Sequence, residues 1–102
     1  MKKITLYCGL NDKNTKTQLI DTLEAFKIAS NICCAYCDGA TIFNATGIYK
    51  HYDGTIIIEN TLRIELIDVT DDALKSIIQS LKIALNQESI LKQTQNIDTE
   101  FI

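Results

Sequence analysis

This chain has a single arginine, Arg63, a single histidine, His51, and only four glycines, none close to another. Each scarcity excludes a chemistry. The net charge is −3 and the pI near 5.0, and among the scattered lysines only Lys2 and Lys3 adjoin. Nucleic-acid binding by phosphate neutralisation needs clustered Lys and Arg, so no direct nucleic-acid partner is expected. The isolated Gly9, Gly39, Gly47 and Gly54 suit turns and bulges and cannot make a glycine-rich phosphate loop. His51 stands alone beside a turn and reads as a surface residue, because without a partner it carries no acid–base mechanism. No segment approaches the ~20 consecutive apolar residues of a membrane span. The apolar run after Lys3 is too short for a signal peptide and is interrupted by the polar segment Asn11 to Thr17, so a cytoplasmic protein without a membrane partner is expected.

Cysteine is present four times, but in a pattern that argues against a disulfide framework. Cys33, Cys34 and Cys37 crowd one helical segment, and thiols in the cytosol stay reduced. A zinc site would need a second ligand pair, whereas Cys8 is single and His51 lies far along the chain; no metal and no cofactor is expected. A cysteine nucleophile would need a nearby base or a helix N-terminus. The cluster sits at a helix C-terminal end, where the dipole works against a thiolate. Cys33 and Cys37 are therefore expected to pack as small hydrophobes.

What is there is apolar patterning. At 102 residues and 46% hydrophobic content, the chain suffices for one domain with one core. Ile4, Leu6 and Cys8 alternate with Thr5 and Tyr7, predicting a strand over 4–9. A helix is predicted from an N-cap at Asp21 or Thr22 to Asp38-Gly39, with Ala25, Ala29, Ile32 and Tyr36 on its inner face, widened by Phe26 and Cys33, and Gly39 closing it in the left-handed conformation. Residues 40–69 form a long hairpin turning at Asp53-Gly54, a dipeptide suited to a type I′ turn. A two-residue turn places Tyr49 opposite Ile58, Asn44 opposite Arg63 and Ile42 opposite Glu65; the register admits a slip of one. Gly47 suggests a bulge. Thr70-Asp71-Asp72 caps a second helix with the stripe Leu74, Ile77, Ile78, Leu81 and Leu85. Glu88 to Gln95 reads as an edge strand, and 96–102 as a tail.

The order strand, helix, strand, strand, helix, strand predicts an α+β, ferredoxin-like βαββαβ fold, its antiparallel sheet covered by two helices on one face only. The bare face would carry Tyr7 and the polar row Glu59, Arg63 and Glu65. That face offers a candidate pocket near Gln87 and Glu88, a solubilising charge ladder, or a surface for self-association as a homodimer. Glu65, Asp68 and Asp71 form an acidic corner able to meet a basic protein surface.

Five short motifs carry a resemblance. They are Leu6-Tyr7-Cys8-Gly9-Leu10, Asp38-Gly39-Ala40-Thr41, Gly47 and Tyr49 ahead of Asp53-Gly54, Glu59 early in the returning strand, and Gln87-Glu88-Ser89-Ile90-Leu91. Over nearly its whole length the chain resembles a family of small bacterial domains of unknown function. Cys37 stands where that family has a phenylalanine, which puts it in a core-packing slot. Relatives look like accessory proteins of phages and other mobile elements, a setting that includes anti-CRISPR proteins. The resemblance implies no established activity but favours a small binder that disables a larger host protein; with no catalytic constellation in the sequence, the expectation is a non-catalytic inhibitor of a host defence nuclease such as a CRISPR effector. The alternative is a protein that binds or sequesters a small ligand or nucleotide, or a small enzyme, using the open sheet face. A structural oligomerisation domain is a third class.

Overall fold

Alternation along the first strand sorts its side chains between two environments. In a computed structural model describing residues 1–102, Ile4, Leu6 and Cys8 of β1 (Lys2–Gly9) point into the core, while Tyr7 stays half-buried on the other side. The remaining elements are α1 (Thr22–Tyr36), β2 (Thr41–Lys50), β3 (Ile56–Ile67), α2 (Asp71–Ala84) and β4 (Leu91–Asn96). All strand pairs are antiparallel, and the sheet order is β2-β3-β1-β4. This is the ferredoxin-like arrangement expected from the element order.

Both helices start where short oxygen-bearing side chains stand ready. Asp21 accepts from the Glu24 N–H at 2.9 Å and Thr70 from the Ala73 N–H at 3.2 Å, satisfying first-turn donors that otherwise lack partners. Ala25, Ala29 and Cys33 of α1 and Leu74, Ile77 and Leu81 of α2 are buried against Leu62, Ile64 and Leu66 of β3 and the inner residues of β1. Each large aliphatic side chain removed from water contributes about 1.5–3 kcal/mol. The opposite face of the sheet has no covering layer.

Three local expectations about the hairpin and α1 are corrected. First, the hairpin register is shifted by one: Tyr49 pairs with Ile57, Asn44 with Leu62 and Ile42 with Ile64. The turn holds three residues, Tyr52, Asp53 and Gly54, with the Gly54 N–H donating to the His51 carbonyl and the His51 N–H to that of Thr55. Gly54, at φ +91°, takes the left-handed position of the bulge that closes such a loop. The shift matters, because it sets Phe43 rather than Asn44 opposite Arg63. Second, Gly47 is not a bulge: β2 and β3 pair without interruption, and Gly47 faces Glu59. Third, α1 ends at Cys37, whose extended backbone (φ −149°) breaks the helix while its N–H still donates to the Cys33 carbonyl; Gly39 is not left-handed.

The final strand starts at Leu91, three residues later than expected, because residues 85–90 form a loop returning from α2. The molecule is elongated, 47 × 24 × 23 Å. Ile56 to Asn60 of β3 form strand pairs with β2 alone, so the hairpin projects past the end of β1.

Candidate functional site

Where β1 ends and the hairpin projects, the open face deepens into a cleft of about 500 Å³. Its floor is built around Glu59. That carboxylate lies directly over Gly9, where a Cβ would sit 2.5 Å from Glu59 Oε1, so only a residue without a side chain leaves it room. The Asn11 N–H donates to Glu59 Oε2 at 3.1 Å. Asn11 is held in turn by Gln87, whose buried Nε2 donates to the Asn11 carbonyl at 2.8 Å and to that of Leu85 at 3.1 Å. The chain Gln87, Asn11, Glu59 thus ties the α2–β4 loop, the β1–α1 loop and β3 to one acidic group.

The walls follow from strand alternation and loop course. Tyr7, Tyr49 and Thr61 come from successive strands on the open face, with Leu91 across from Tyr7. Gly47 keeps the hairpin side open: a Cβ there would approach Thr61 Oγ1 to 3.2 Å. Lys13 and Lys16 reach the rim from the β1–α1 loop. That loop is held by Asp12, which accepts from the Asn14 and Thr15 N–H groups and, at 2.7 Å, from Asn86 Nδ2. The Asn86 hydrogen bond first, and the loop amides after it, hold the Asp12 carboxyl below its ordinary value. A half-buried carboxylate among aromatic rings, with one backbone donor, can hold a cation or accept a proton.

The six residues singled out in the sequence separate into three places. Tyr7 and Glu59 belong to the cleft. Arg63 and Glu65 lie further down the sheet, Glu65 about 20 Å from Glu59 by strand rise. They form an ion pair of 2.7 Å, with Lys3 at 3.6 Å from the same carboxylate, and the guanidinium rests 5.2 Å from the centre of the Phe43 ring. Arg63 Nε is enclosed there without a hydrogen-bond partner. Asp68, at φ +56°, and Asp71, in the first turn of α2, occupy the opposite end of the molecule. Glu65 therefore takes part in an open-face ion pair and also lines a shallow cavity together with Asp68, whereas Asp71 is not among that cavity's residues.

Lys13, Lys16 and Asn11 escape sequence reading, since a polar loop carries no periodicity to place its side chains. The Gly9 motif was the available signal: a glycine at a strand end marks close approach by another group. The cysteines lie elsewhere. Burial, reinforced by neighbouring thiols, pushes Cys8 up to about 12 and Cys33 to about 11, whereas Cys34 is exposed. No three His, Cys, Asp or Glu side chains converge as metal ligands. No helix is long and apolar enough to cross a membrane.

Known structures share this architecture. A phage SAM lyase in its apo state superimposes with a TM-score of 0.65 at 19% identity, covering 92% of this chain and 78% of that one. A phage SAM lyase in complex with S-methyl-5′-thioadenosine gives 0.59 at 22% identity, covering 92% and 79%. CutA1 from Oryza sativa gives 0.59 at 16% identity, covering 99% and 84%. At these identities the likeness establishes the ferredoxin-like fold. It also corrects the expectation of a non-catalytic module. A lyase is an enzyme, so the missing Cys–His or Ser–His pair excludes only catalysis by an activated side-chain nucleophile, not catalysis on this fold. No curated protein matches the chain in sequence. Residues 3–101, however, match the model of DUF3574, described as a protein of unknown function, and the chain belongs to that family.

Proposed function

We propose that this protein binds a small ligand bearing an adenosyl thioether or sulfonium group in the cleft over Gly9, and acts on it through Glu59. The observation that carries this reading is the Glu59 carboxylate, held in place by the Asn11 N–H and the space that Gly9 leaves. The fold shared with a phage SAM lyase in complex with S-methyl-5′-thioadenosine supports the ligand class. Tyr7 and Tyr49 offer ring faces of the kind that stack on a purine. Glu59 can balance the charge of a sulfonium. As a base it can instead take a proton from the carbon β to sulfur; the C–H pair becomes an alkene bond, and the C–S pair returns to sulfur to release a neutral thioether.

Titration calorimetry with S-methyl-5′-thioadenosine and S-adenosylmethionine, with chromatographic detection of released thioether, tests this. Binding of both is expected, with turnover lost in Glu59→Gln. Absence of binding by either compound, or unchanged turnover in the variant, overturns the reading.

Self-association is a second reading, favoured by a specific observation. Ile48, Ile56 and Ile58 share one face of the projecting hairpin and are 69%, 62% and 65% exposed, a patch that a second copy of the chain would cover. Inhibition of a host nuclease through the acidic corner has less behind it, since Arg63 and Lys3 already engage Glu65.

A further inference from the structure

Besides Glu59, the lining of the cleft carries charge of both signs, with Glu88 beside two lysines. These are Lys13 and Lys16, and the ion pairs of the structure, both to Glu65, use neither. Exposed lysines on a polar loop are ordinarily a solvated face. Here the loop is pinned. Asp12 accepts from two of its N–H groups and from Asn86, the Lys13 N–H donates to the Asn86 carbonyl, and the Lys16 N–H to that of Asp12. Lys16 itself is held at φ +62°. Two carboxylates, Glu59 and Glu88, and two lysines therefore line a single cavity, the lysines on a loop that its hydrogen bonds hold in place.

From this arrangement we infer that the cleft recognises the α-amino-acid end of its ligand, a carboxylate meeting Lys13 and Lys16 while the cationic part lies toward Glu59. This rests on the reading of the cleft as a small-ligand site and goes beyond it, since an adenosine thioether alone has neither charge. A dipolar ligand fits such a cavity better than an anion, which Glu59 would repel, or a simple cation, which the lysines would repel.

The test uses compounds that cannot be cleaved at a sulfonium: S-methyl-5′-thioadenosine, S-adenosylhomocysteine and decarboxylated S-adenosylhomocysteine, titrated into the wild type and into the double variant Lys13→Gln/Lys16→Gln. The wild type is expected to bind S-adenosylhomocysteine about tenfold more tightly than its decarboxylated form, the scale of one charge-assisted contact. The double variant should lose that preference while keeping its affinity for S-methyl-5′-thioadenosine. Equal binding of the carboxylated and decarboxylated forms by the wild type, or a preference that survives in the variant, overturns this inference and leaves the ligand site standing if the thioadenosine still binds. No binding of any of the three overturns both.

Discussion

Gly9 is the residue on which the cleft turns. A methyl group there would collide with the Glu59 carboxylate, the mobile end of a side chain, so the chain can yield without unfolding. Gly9→Ala is expected to melt within a few degrees of the wild type yet to bind S-methyl-5′-thioadenosine and S-adenosylmethionine weakly. Thermal denaturation beside calorimetry separates the two effects, and unaltered affinity would remove Glu59 from the site. The thiols behave as their surroundings dictate. With Cys8 and Cys33 raised to about 12 and 11 by burial, their thiolates are scarce at neutral pH, and the thiolate is the reactive form. Native protein treated with a thiol reagent should label exposed Cys34 first, and Cys8 and Cys33 only after denaturation. Peptide mapping reads the order directly.

Among the elements, the β1–α1 loop depends most on a single charge. The folded state holds the Asp12 carboxyl below its ordinary value, so its contribution to stability is present above the unfolded pKa, near about 3.9, and is lost as pH falls through the lower folded value. Chemical denaturation at neutral pH and near pH 3 should show the wild type losing more stability on acidification than Asp12→Asn. Equal losses would mean that the Asn86 contact does not bias the carboxylate. The hairpin shows why elements are easier to read than their pairings. Alternation in β3 and the Asp53-Gly54 signal place two strands and a turn, but Asp-Gly suits both a two-residue turn and the three-residue loop seen here. Only the His51 and Gly54 hydrogen bonds decide between them. The end of α1 follows the same rule: Gly39 has the composition of a closing residue, whereas Cys37 has already left the helix.

At the scale of the molecule, the projecting hairpin creates the 47 Å length and leaves Ile48, Ile56 and Ile58 beyond the reach of both helices. If a second copy covers them, sedimentation velocity will show an oligomer that Ile56→Ser/Ile58→Ser converts to monomer. Since these side chains are exposed within one copy, the monomer's own fold should survive the change. A wild type that sediments as a monomer throughout the accessible concentration range would refute the patch as an interface.

Local patterning alone determined the strands, the helices, their N-terminal ends and the uncovered sheet face, because burial on one side imposes a period of two on a strand and 3.6 on a helix. It also put Tyr7 and Glu59 on that face with Gln87 and Glu88 nearby, and singled out Gly9 without connecting it to them. Tertiary structure decided that Gly9 lies beneath Glu59, that Gln87 holds Asn11 against the same carboxylate, and that Lys13 and Lys16 line the same cavity. These groups come from different parts of the chain, so their meeting depends on register and loop course, which no local period encodes.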